Sequence, residues 1–222
     1  RHLDKVLEYP NNKYSEDAML MGAEMAYTAK DYEKALHIYK QLKDKAASME
    51  RRQLAKTGML RSAHMLGNEE EIIFTATDLL ADTKLAPELS NEAHYYRAKA
   101  YLDAGKTDGA MEDLKVLAKD TRNVYGAEAK YKVAQIYFDG GQTDKAEQEV
   151  LNYIEVSTPH TYWLARSFVL LADVYMKLGR NLDAKQYLLS LKQNYQADDD
   201  IAGMIESRLE TVSYTHLRAH ET

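Results

Sequence analysis

The stretch KTDGAMEDLKVL, residues 106–117, aligns without a gap on three others: DYEKALHIYKQL (31–42), QTDKAEQEVLNY (142–153) and RNLDAKQYLLSL (180–191). Each carries an alanine at its fifth place, at Ala35, Ala110, Ala146 and Ala184. The 75 residues from Ala35 to Ala110 are about twice the later intervals, so a divergent copy must lie between them. NEEEIIFTATDLL (68–80) supplies it, with Ile72 in the alanine slot. The successive spacings are then 37, 38, 36 and 38, and repetition at this period predicts stacked units that bury their faces against their neighbours.

Five residues before each slot stand Lys30, Gly67, Gly105, Gly141 and Gly179. A helix that ends in a sharp turn needs a residue with positive φ there, which glycine adopts without a Cβ clash; lysine is the exception in the series. Seven residues before each of these come Ala23, Leu60, Ala98, Ala134 and Ala172, and three further on Ala26, Ala63, Tyr101, Tyr137 and Tyr175. An i, i+3 pair shares one helix face, where the small residue admits a partner helix and the tyrosine fills the space between hairpins. Each unit is therefore expected to be two antiparallel helices and the chain all-α. Composition agrees: Ala, Leu, Lys, Glu and Gln dominate, and only three prolines and ten glycines interrupt.

The order small, aromatic, glycine, alanine in the units centred on Ala110, Ala146 and Ala184 resembles the tetratricopeptide repeat, a unit of roughly 34 residues built as helix, turn, helix. The resemblance covers residues 14–196 as five repeats and implies a right-handed superhelical solenoid of antiparallel helix hairpins. The first two units depart from it at Lys30, Ala26, Ala63 and Ile72. LDKVLEYP, closing on Pro10, fits the end of a truncated upstream repeat over 1–13. Asp198–Asp200 lead into an apolar stripe of Ile201, Met204, Ile205 and Leu209, expected to form a C-terminal capping helix over 197–210. The last residues, VSYTHLRAHET (212–222), resemble the translation of a transposase-type sequencing adapter, so 211–222 is expected to be a non-native tail. A chain opening at Arg1 is in turn expected to be a piece of a longer protein.

The net charge of −6 argues against a protein that tracks nucleic-acid phosphates, which concentrates Lys and Arg on one face. With no cysteine there are no disulfides or thiolate metal ligands. No apolar run approaches the roughly 20 residues of a membrane span, so no direct insertion is expected. The sequence has no phosphate loop, serine elbow or His-x-x-x-His motif, and its histidines are scattered over different units. No enzyme activity, cofactor or metal is expected.

In the tetratricopeptide family the concave surface comes mainly from the first helix of each hairpin, fifteen, eleven and eight residues before the alanine slot. Mapped here, these places are Leu20, Glu24 and Tyr27; Thr57, Arg61 and His64; Tyr95, Lys99 and Leu102; Tyr131, Gln135 and Phe138; and Val169, Asp173 and Met176. Rings flanked by mixed charge suit an extended peptide or a helix. The resemblance therefore implies a protein-interaction scaffold whose partner-binding groove contains Tyr27, Arg61, His64, Tyr95, Lys99, Tyr131, Gln135, Phe138, Asp173 and Met176. The family's clamp for chaperone C-termini is not matched. The alternative is a regulatory or substrate-recruiting region of a larger enzyme or sensor. The many tyrosines and the terminal lid resemble bacterial cell-envelope repeat proteins, which favours a periplasmic or outer-membrane-associated setting over the cytoplasm.

Overall fold

The computed structural model describes residues 14–219 apart from residue 157; the expected remnant of an upstream repeat, over 1–13, lies outside the described residues. Among the described residues there are eleven helices and no strand. They are α1 (Ser15–Thr28), α2 (Tyr32–Lys45), α3 (Met49–Leu66), α4 (Glu69–Leu80), α5 (Pro87–Asp103), α6 (Thr107–Leu117), α7 (Val124–Asp139), α8 (Thr143–Ile154), α9 (Thr161–Lys177), α10 (Asn181–Asn194) and α11 (Ile201–Ala219). The chain divides within α6 into two compact units, one ending at Asp113 and the other beginning at Leu114.

Each hairpin is closed by one device. At residues 30, 67, 105, 141 and 179 the backbone turns left-handed, with φ of 63°, 65°, 70°, 74° and 74°. The N–H of the next residue then donates back to the carbonyls of Ala26, Ala63, Tyr101, Tyr137 and Tyr175. The left-handed residue itself donates to Tyr27, His64, Leu102, Phe138 and Met176. This double bond pattern satisfies carbonyls that a helix end leaves open and sends the chain into the next helix after a short link. Asp31 and Asn68 then cap α2 and α4 by accepting from the N–H of Lys34 and Glu71.

In the first unit α1, α3 and α5 line up as neighbours, with α2 and α4 packed behind them. The alanine-slot residues Ala35 and Ile72 are buried, as are Ala23 and Leu60 on the first helices. Met19, Leu42 and Met59 complete one cluster, and Leu79 and Ala93 belong to a second beside it. In the second unit α9 touches α7, α8, α10 and α11, and one continuous core runs through Ala134, Ala146, Leu171, Ala184 and Ile201. α11 thus occupies the place that the first helix of a next hairpin would take. It starts where Asp199 accepts from the Ile201 N–H and runs on beyond Glu210, burying Val212. Extending an existing helix needs no new nucleus, so little is required of the residues that prolong it.

Candidate groove sites

In the first unit a cleft of about 400 Å³ lies between α1 and α3. Leu20, Glu24, Tyr27 and Thr28 of α1 form one wall, Leu54, Thr57 and Arg61 of α3 the other, and Tyr39 of α2 reaches the floor between them. Sequence reasoning places Leu20, Glu24, Tyr27, Thr57 and Arg61 on this face; it misses Tyr39, Leu54 and Gly58. Gly58 is the reason Tyr39 reaches so far. An added methyl at Gly58 would lie 2.3 Å from Cζ of the Tyr39 ring, so the ring crosses the helix where no side chain stands. An isolated glycine inside a helical pattern was the available signal, because a helix tolerates that cost only where packing requires it.

Arg61 is locked from outside the cleft. Its Nε and Nη2 donate to the two carboxylate oxygens of Glu92 on α5 at 2.6 and 2.7 Å, a bidentate pair that holds the guanidinium in one plane. Glu24 makes no side-chain hydrogen bond or ion pair among the described residues. Burial raises the phenol pKa of both Tyr27 and Tyr39; Glu24 raises that of Tyr39 further and Arg61 opposes it, which sets both charges within reach of the floor.

Further along the same face, His64 stacks on Tyr96 with ring centroids 4.2 Å apart, and the Lys99 ammonium sits 5.6 Å from the centre of Tyr95. Burial lowers the His64 pKa, and the Lys99 charge lowers it further. Beneath this strip lies a buried carboxylate, Asp113, which accepts from Arg97 Nε and Nη2 and lies 2.7 Å from His94 Nδ1. Arg97 and His94 hold its pKa below the usual carboxylate range against the effect of burial. These bonds join α5 to α6 and are structural.

In the second unit the expected anchors are engaged by side chains of the chain itself. Tyr131 is not an open ring: it is 8% exposed, packs 5.6 Å from Trp163, lies under Arg166 and donates to Gln135 Oε1. Gln135 in turn donates to Asp139. Nor is Asp173 an unpaired charge, since Arg208 of α11 grips it through Nε and Nη2 at 2.9 Å. Phe138 carries the Lys177 ammonium 4.9 Å above its ring, and Met176 is half-buried against the core. Sequence reasoning missed Trp163, Arg166 and Arg208, because their partners lie 32 to 35 residues away.

Among the described residues no group of His, Asp or Glu is placed to hold a metal ion, and no helix is long and apolar enough to cross a membrane. The tetratricopeptide repeat family profile matches residues 92–120 and again 165–193. No curated protein sequence matches the chain significantly. The solved structures similar to it in fold include MamA, YrrB and BtubC. MamA is 16% identical, over 82% of this chain and 92% of its own, with a TM-score of 0.65. YrrB, described as a TPR protein with an unusual peptide-binding site, is 16% identical over 93% and 98%, with a TM-score of 0.64. BtubC from P. vanneervenii is 12% identical over 89% and 90%, with a TM-score of 0.57.

Proposed function

We propose that this tetratricopeptide-repeat protein, an interaction scaffold by its repeats, holds a segment of a protein partner against its first-helix face, with the α1–α3 cleft as the principal seat. The reading takes residues 14–196 as five hairpins and α11 as their lid. The observation that carries it is the cleft itself: five of its nine lining residues occupy groove places of the repeat, and they enclose about 400 Å³ that no side chain of this chain fills. Two rings, Tyr27 and Tyr39, and two exposed or half-exposed leucines, Leu54 and Leu20, offer apolar contact at modest entropic cost. Arg61, already held by Glu92, needs no ordering when a ligand arrives. His64, Tyr95 and Lys99 continue the face along α3 and α5. In the second unit Gln135, Phe138 and Met176 offer narrower contact, because Tyr131 and Arg208 occupy the space beside them.

The test is selection of binders from a random displayed-peptide library on the 222-residue chain, followed by affinity measurement on Tyr27→Ala/Leu54→Ala. Both side chains stand at the surface of the cleft, so circular dichroism should be unchanged while selected peptides bind at least about tenfold more weakly, roughly 1.4 kcal/mol. Peptides that bind the double variant as well as the parent would remove the cleft from the function.

A further inference from the structure

The chemistry of the α1–α3 cleft narrows what it takes. Its charged lining is Glu24 and Arg61. Arg61 spends Nε and Nη2 on both oxygens of Glu92, so that pair is internally neutral and already has the geometry each member prefers. Glu24 is left as the uncompensated charge, an exposed carboxylate with no ion pair among the described residues. Beside it on α1 stands Tyr27, and Tyr39 of α2 lies at the floor; their ring faces attract a positive charge and their phenol oxygens can accept a hydrogen bond from a cationic head. Tyr27 is held edge-on by Tyr32, with centroids 5.2 Å apart, and Tyr39 is held by its passage over Gly58. Leu20 and Leu54 supply an apolar flank for an aliphatic stem. An entering carboxylate would face the charge of Glu24 and would meet an Arg61 whose charge Glu92 already balances.

We propose that the cleft receives a lysine or arginine side chain of the protein partner, its cationic head paired with Glu24 and enclosed by Tyr27 and Tyr39, its stem lying along Leu20 and Leu54. This rests on the reading that a partner segment lies against this face. It gives the scaffold a rule of selection: a basic residue at one place in the bound segment.

Three blocked pentapeptides, Ala-Ala-X-Ala-Ala with X as lysine, norleucine or glutamate, probe the cleft of the full chain through amide chemical shifts of Glu24, Thr57 and Gly58. The lysine peptide is expected to move these resonances saturably, the norleucine peptide to bind several-fold more weakly, and Glu24→Gln to weaken the lysine peptide about tenfold, the loss of a charge-assisted bond. Equal binding of lysine and norleucine peptides, with no effect of Glu24→Gln, overturns the cation and leaves the groove reading standing. Preferential binding of the glutamate peptide overturns it in favour of Arg61. Silence of the cleft resonances toward all three, while library-selected peptides still bind and are weakened by Tyr27→Ala/Leu54→Ala, likewise overturns the cation alone. If the library yields nothing that depends on the cleft, both readings fall.

Discussion

Thr57 and Tyr131 hold the same place in their repeats, fifteen residues before Ile72 and Ala146. In the first unit the threonine keeps its hydroxyl on its own helix, donating to the Gln53 carbonyl, and the space beside it stays open as the α1–α3 cleft. In the second unit the tyrosine fills the corresponding space, wedged against Trp163 and Arg166. The neighbouring place differs as well: Gly58 lets a ring from the second helix through, where the second unit has Lys132. One repeat backbone therefore leaves an open cleft or closes into a packed seam according to side-chain volume at one or two positions. The backbone turns that close the hairpins are alike in both units, so the contrast is one of side chains.

The largest effect should come from emptying the seam. Tyr131→Thr removes a buried ring and the hydroxyl that donates to Gln135 and accepts from Arg166, so the second unit should lose about 3 kcal/mol in denaturant unfolding. The converse change, Gly58→Ala, sets a methyl 2.3 to 2.5 Å from three Tyr39 ring atoms; overpacking outweighs the better helix propensity of alanine, for a net loss of about 2 kcal/mol. Combining it with Tyr39→Ala should recover the alanine's helix benefit and abolish the penalty, which a double-mutant cycle would register as coupling.

A smaller effect is expected at the one hairpin turn that lacks glycine. Lys30 sits at φ 63°, a conformation that costs an L side chain about 1 kcal/mol, so Lys30→Gly should stabilise the first unit by about that amount. Glycine at the other four turns leaves no such gain. The smallest effect separates the units by pH. The His64 pKa is lowered in the folded chain by burial and then by Lys99, so the unfolded state takes up the proton more readily. Stability tied to His64 is thus present above its unfolded value near 6.5 and is lost as pH falls through that value toward the lower folded one. A slope of a few tenths of a kcal/mol per pH unit should vanish in His64→Gln, and an imidazole titration followed by NMR should show a midpoint below 6.5.

Much of the hairpin plan was legible in the sequence because its determinants are local. A left-handed turn asks one residue to tolerate positive φ, and Gly67, Gly105, Gly141 and Gly179 announce it by themselves. Ala35, Ala110, Ala146 and Ala184 announce a close helix approach in the same way, and all are buried. The candidate site was legible only as a set of places. Leu20, Glu24, Tyr27, Thr57 and Arg61 do meet at one cleft, whereas Tyr131, read from the same offsets, turned inward. Asp173 was read as part of an open face, and the Arg208 that claims it comes from a helix that no repeat position announces.

The amino-acid sequence by itself determined the helical period, the places of the turns and the close-packed face of each hairpin. These follow from backbone stereochemistry and from apolar spacing within about a dozen residues. The tertiary structure decided which of those places stay open. That outcome depends on contacts between side chains 19 to 35 residues apart, Tyr39 over Gly58, Arg61 on Glu92, Tyr131 under Arg166 and Asp173 on Arg208. Close packing leaves room for only one of two competing side chains, and the repeat pattern does not say which will be there first.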